Sequence, residues 1–274
     1  MRVSSLHIYP VKSLRGLAVQ SAEVDSLGIV GDRRFLVVEQ AGVFLTQRTV
    51  PRMALVGAFL EESTLELRCD GFEPLGVRRA PDPAAPLVPV RVWSSEGLMA
   101  EYCGDLPAAW LSRVLGFPCR LVRIGPAFHR PIKEAQLHPG DNVNFADGYP
   151  FLAVSEASLE DVNRRIGIAG GGAVPMNRFR PNLVLAGCAA FEEDTWKRIR
   201  IGNVGLRSAG PCSRCIITTT DQVTGERGKE PLNTLATYRR DPDDPTNVNF
   251  GQNLVNEDKA GILRVGEEVF ITQK

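Results

Sequence analysis

The sequence predicts a mainly β protein with some α, of the α+β class, and three observations carry that prediction. Short runs rich in β-branched and aromatic residues recur along the chain, turn residues separate them, and few stretches show helical spacing. Val3–Tyr9 and Phe35–Glu39 read as strands, because such side chains fit a pleated, half-buried surface. Val88, Val90 and Val92 alternate with Pro89 and Arg91, the period of a strand with one face covered. Pro89 has no N–H to give a ladder, which places that strand at a sheet edge. The Pro-rich stretch Ala80–Pro86 before it is a loop.

Leu106–Leu115 carries apolar residues at helical spacing and meets Gly116 and Pro118, which stop it. Ser158–Ile166 is the second helix, with Ser158 as its cap, Asp161 three residues on, and Gly167 and the run Gly170–Gly172 to end it. A third, short helix is expected over Pro231–Arg239, proline standing at its first position. The rest of the second half is expected to be strand: Asn182–Leu185, Ile216–Thr220 and Val265–Ile271. The 274 residues allow one large or two modest domains, and the boundary is expected near Pro118.

Composition excludes several functions. The chain has 32 basic and 32 acidic residues and no basic excess, so no nucleic-acid partner is expected. Its longest apolar stretch, Leu183–Phe191, falls far short of the roughly 18 residues that span a bilayer, so no membrane span is expected. The start alternates like a strand and lacks the apolar core of a secretory signal, which points to the cytoplasm. There the six cysteines are expected to be thiols or ligands rather than disulfides.

The sharpest local feature is Pro211-Cys212-Ser213-Arg214-Cys215-Ile216-Ile217-Thr218-Thr219-Thr220-Asp221. Structural zinc would need four ligands, and His7, His129 and His138 stand at no ligand spacing. A thioredoxin-like pair wants a helix N-terminus, whereas this pair runs into β-branched residues. Two buried cysteines packing as small hydrophobes is the plain alternative. The remaining reading is one thiolate on a soft or high-valent metal, with Arg214 favouring the thiolate and holding an anion beside it.

This segment, with Asp221 and Thr224-Gly225, resembles the signature of the MOSC family. Tyr9-Pro10-Val11-Lys12-Ser13 and Gly31-Asp32-Arg33-Arg34-Phe35 resemble the motifs of that family's N-terminal companion barrel. Pro150-Phe151, Ser155-Glu156-Ala157-Ser158, Phe179-Arg180-Pro181-Asn182 and Phe250-Gly251-Gln252 follow in the family's order, so the resemblance covers nearly the whole chain. It is most similar in pattern to the amidoxime reducing components and their bacterial counterparts. The resemblance implies an N-terminal MOSC β-barrel domain over residues 1–118 and a MOSC β-barrel, of the pyruvate-kinase-like kind with a few decorating helices, over residues 119–274.

It further implies the molybdenum cofactor, Mo-molybdopterin, with Cys215 as the metal ligand and catalytic residue. Lys12, Ser13, Arg33, Asp147, Gly148, Arg180, Asn182, Ser213 and Arg214 are implied as cofactor contacts. The chemistry is coherent: thiolate suits a metal already held by sulfur, and arginine binds phosphate in bidentate fashion. Lys12, Arg33 and Arg180 are the expected counter-ions, while Asp147 and Asn182 suit the donors and acceptors of a pterin edge. Cys188 and Cys212 are expected to be structural.

The implied activity is reduction of a small N-hydroxylated substrate. Some bacterial relatives carry a ferredoxin module with a C-x4-C-x2-C run, which this sequence lacks, so a separate electron-donor protein of ferredoxin or cytochrome type is expected. Two alternatives remain at this point: a sulfur carrier using a Cys215 persulfide, and a non-catalytic cofactor-binding protein.

Overall fold

The computed structural model describes residues 1–132 and 140–274; His138 lies outside the described residues. The fold is mainly β with a few helices, as expected. The largest sheet among the described residues has eight strands, in the order 269–273, 198–201, 204–213, 249–256, 151–155, 183–186, 2–8 and 17–19. Arg2–Ile8 from the start of the chain pairs antiparallel with Leu183–Ala186, and Phe151–Ser155 runs parallel to that same strand. The inward faces close on one apolar core that includes Leu6, Phe151, Leu183, Trp196, Leu206 and Leu254.

A four-stranded sheet (35–39, 119–123, 95–102, 87–92) covers a second core. Helix Asp105–Leu115 packs Trp110, Leu111 and Val114 into it. Cys119–Arg123 follows residue 118 yet pairs with Phe35–Glu39, and Arg2–Ile8 belongs to the large sheet, so the two parts of the chain share strands in both directions. Leu87–Val92, with Pro89, stands at the sheet edge for the reason its sequence gave.

Four elements differ from expectation. The second helix spans Glu156–Ile168 and is capped by Ser155, whose Oγ accepts from the Ser158 N–H at 3.0 Å. It thus starts earlier, with serine at both ends of the cap. The third is only Leu232–Leu235, since hydrogen bonds of shorter span take over at Thr237 and Tyr238. Val265–Ile271 is not one strand: Gly266, at φ 88°, turns the chain between Gly261–Arg264 and Val269–Gln273.

The most consequential difference is Ile216–Thr220. Residues Ile216–Thr219 form a 3-10 helix with Cys215 at its N-cap. Thr218 Oγ1 donates to Cys215 O at 3.0 Å and Thr219 Oγ1 to Ile216 O at 2.8 Å. Hydroxyls bonding back to the local backbone offer it an alternative to a ladder, and here they override β propensity. The strand leading in, Val204–Ser213, breaks register twice against Asn249–Asn256, between Ser208 and Pro211 and between Pro211 and Ser213. Such bulges bend a strand and re-aim its side chains, which delivers Cys212–Cys215 to the end of the sheet.

Candidate functional site

That end of the sheet opens onto a cavity of about 990 Å³. Its lining includes Lys12, Ser13, Arg33, Asp147, Gly148, Arg180, Asn182, Ser213, Arg214 and Cys215. Residues up to 203 positions apart in sequence, Lys12 and Cys215, thus meet on one surface, and Cys215 is half-buried on its wall rather than sealed in a core.

The walls are strongly cationic. Lys12, Arg33, Arg48, Arg91, Arg130, Arg180 and Arg214 line the cavity among the described residues, against one acid, Asp147. Lys12 is 5% exposed; burial pushes its ammonium down to about 8, against the pull of the Asp147 carboxylate it ion-pairs with. Asp147 is held well below the usual carboxylate range: burial opposes this, and the Lys12 and Arg48 cations outweigh it. Its side chain is half exposed, so solvent screens these ion pairs.

Burial pulls the Arg180 guanidinium down to about 10, still charged at neutral pH, and its Nη2 is buried without a protein acceptor. Removing a cation from water without pairing it is costly, so this arrangement favours an incoming anion. Arg33 is better paired. It donates to Asp32 Oδ2 at 2.7 Å, to Asn182 Oδ1 at 2.9 Å and to Arg180 O at 3.3 Å.

Tyr9 organises both arginines. Its buried ring contacts both, 4.5 Å from the Arg33 guanidinium and 4.3 Å from that of Arg180. Its hydroxyl donates to Pro181 O at 3.1 Å, and burial pushes it up to about 12, so it stays neutral. Gly16 makes room: a Cβ there would sit 2.3 Å from the ring.

Ser13, Arg33, Trp93 and Arg180 line the cavity with backbone φ of 65°, 44°, 55° and 57°. Phe191 is the one other non-glycine among the described residues with positive φ. Side chains rarely adopt this left-handed region, and such strain concentrates where a surrounding structure is built for a task.

Several expected residues act differently from their sequence reading. Asn182 is 1% exposed and its amide is committed to the framework: Oδ1 accepts from Arg33 and from Leu152 N, and Nδ2 donates to His7 O at 3.1 Å. Arg214 does not turn toward Cys215: Nη1 donates to Cys212 Sγ at 2.8 Å and Nη2 to Phe179 O at 2.6 Å. Cys212 therefore anchors Arg214 as well as packing against the Phe179 and Phe250 core. Ser213 is exposed and donates to Asn247 Oδ1 at 2.8 Å. A Cβ on Gly148 would meet open space. Among the described residues no group of three or more His, Cys, Asp or Glu side chains forms a metal cage.

Sequence reasoning passed over four participants. Tyr9 stood inside a motif already noticed. Arg130 has no local signature; it is 4% exposed and braces the 144–147 loop through Asn144 O at 2.9 Å and Asp147 O at 2.9 Å. Gln47 and Gln222 form a buried reciprocal amide pair at 3.0 and 2.9 Å, linking Ser13 O, through Gln47, to the Arg180 guanidinium, through Gln222.

The same residues carry the relationship to known proteins. Residues 1–118 match the MOSC N-terminal beta barrel domain and residues 140–270 match the MOSC domain, so the chain belongs to the MOSC family. Within it, the chain is 37% identical to "Mitochondrial amidoxime-reducing component 1" of Mus musculus, over 98% of this chain and 82% of that protein. It is 36% identical to the component 1 of Homo sapiens, with the same coverage, and 36% identical to that of Danio rerio over 98% of this chain and 84% of that protein. Those relatives are named as mitochondrial, which does not support the cytoplasmic expectation. No helix among the described residues is long and apolar enough to cross a membrane.

Proposed function

We propose that the cavity holds a molybdenum cofactor and that the protein reduces N-hydroxylated compounds, taking electrons from a separate ferredoxin- or cytochrome-type donor. The observation that carries this reading is the excess of cations, three of them buried, in a cavity that also presents the Cys212 and Cys215 thiols, with Arg180 Nη2 lacking a protein acceptor. The donor set fits an anionic, sulfur-rich group. Lys12 and Arg180 would neutralise its phosphate, Ser13 would add a hydroxyl donor, and Cys215 would supply the thiolate ligand. The names of the relatives support the amidoxime side of the reading.

When bound, the cofactor would supply the two-electron chemistry and an oxygen-accepting metal position. The chain's own residues bind and orient. Tyr9 fixes the planes of Arg33 and Arg180, Arg130 holds the loop that presents Asp147, and Asp147 keeps Lys12 charged in a buried setting. Arg214, tied to Cys212 Sγ and to Phe179 O, anchors the Ser213–Cys215 segment to the neighbouring 179 segment.

The test is metal analysis of protein purified with its native cofactor, beside Cys215→Ala and Cys212→Ala, with a reduction assay on benzamidoxime using reduced methyl viologen. About one molybdenum per chain is expected, lost in Cys215→Ala and kept in Cys212→Ala, with turnover following the metal. A metal-free wild type carrying persulfide on Cys215 would overturn this in favour of sulfur transfer. Metal retained in Cys215→Ala would overturn the ligand assignment.

A further inference from the structure

The reading above gives no role to part of the cavity wall. The cavity's volume of about 990 Å³ lies at the top of the roughly 300–1,000 Å³ range of small-molecule sites. Phe44, Arg48 and Trp93 line this remaining wall.

Trp93 is the unusual residue. The chain has three tryptophans, and Trp110 and Trp196 are 8% and 1% exposed, whereas Trp93 is 42% exposed. It sits in the two-residue loop joining strands Leu87–Val92 and Ser95–Tyr102, where Val92 pairs with Ser95. Trp93 has φ 55°, while Ser94 is not in the positive region. A hairpin loop with positive φ at its first residue alone normally has glycine there. Here that position carries the largest side chain, a strain that folding stability does not explain.

The indole is also held in place. The Arg48 guanidinium lies 4.4 Å from the ring centre, Phe44 packs edge-on at 4.9 Å and 64°, and Nε1 donates to Asp147 Oδ1 at 3.1 Å. Arg48 Nη1, beside the ring, is buried without a protein acceptor. An aromatic side chain held this firmly and still 42% exposed in a cavity wall is complementary to a flat ring.

We infer that Trp93, backed by Phe44 and Arg48, is a specificity-determining subsite that binds the planar aromatic part of the substrate and favours aromatic over small aliphatic compounds. The inference rests on the proposed reductase reading for its substrate class. Ring stacking is worth roughly a threefold to tenfold preference in affinity.

The test is titration calorimetry of the cofactor-loaded protein, without electron donor, using benzamidoxime and acetamidoxime, with tryptophan emission followed in parallel. Benzamidoxime should bind roughly fivefold tighter and quench emission. Trp93→Ala should lose both the preference and the quenching. Trp93→Phe, which keeps a ring but drops the bond to Asp147, should keep most of the preference and bind its metal normally. Unchanged relative affinity in Trp93→Ala overturns the inference. So does Trp93→Phe behaving like Trp93→Ala, which would assign the residue to holding Asp147. Turnover separates the two readings. Trp93-dependent binding without any reduction would sink the reductase and leave the subsite, while reduction of both compounds at a ratio indifferent to Trp93 would do the reverse.

Discussion

Replacing Gln222 by leucine tests how the candidate site is held together. The two side chains of the Gln47–Gln222 pair are 0% and 5% exposed, so water cannot take the place of a lost partner. The substitution leaves Gln47 Oε1 without its donor at 2.9 Å, Thr220 O without its donor at 3.1 Å and Arg180 Nη1 without its acceptor at 3.5 Å; Gln47 Nε2 keeps Ser13 O at 2.8 Å. Each orphaned buried acceptor costs about 1–3 kcal/mol, and the added apolar burial of leucine offsets part of this, so a net loss of about 3 kcal/mol is expected. That corresponds to a melting temperature lower by roughly 6–12 °C. The assay is urea unfolding followed by circular dichroism on Gln222→Leu, Gln47→Leu and the double variant. Because the amides satisfy each other, the double variant should cost about 1–3 kcal/mol less than the sum of the singles. A single-variant loss below about 0.5 kcal/mol, or strict additivity, would refute the claim that this pair ties the two parts of the site.

Gly16→Ala should be poorly tolerated, because its Cβ would overlap the Tyr9 ring at 2.3 Å and disturb the stack with Arg33 and Arg180. A loss of about 1–3 kcal/mol is expected, with weaker cofactor retention on gel filtration; a variant as stable and as well loaded as wild type would contradict these contacts. Lys12 predicts a pH dependence for the cofactor-free protein. Burial lowers its pKa from 10.5 to about 8, so between those values the unfolded chain holds more protons than the fold. Stability from this group therefore rises with pH across that window, and below about 8 the buried ammonium is a full cost. The urea midpoint of wild type should gain on that of Lys12→Met from pH 8 toward 10, and parallel curves would show that Lys12 is not desolvated.

Much of the architecture was legible because local rules and tertiary packing agreed. The helix ending at Leu115 is closed by Gly116 in the left-handed conformation, and the proline-bearing strand lies at an edge because its missing donor forbids a central place. The cluster of site residues was legible through ordered motifs rather than through any one residue. Lys12, taken alone, looks like a solvated charge, yet it is buried.

Residue types and spacing by themselves determined the class of fold, the edge strand and the first helix, and the resemblance of ordered motifs to a known family implied the list of side chains around the thiol. Tertiary structure alone decided their roles. Threonine hydroxyls turned a β-branched run into a 3-10 helix that starts at Ile216 with Cys215 as its N-cap, and Arg214 found Cys212 as its partner. Gln47, Gln222, Arg130 and Trp93 joined the site through contacts across 175, 14 to 17 and 54 positions. Hydrogen bonds and stacking depend on where the fold brings groups within a few ångströms, and no local pattern encodes a meeting between residues so far apart in the chain.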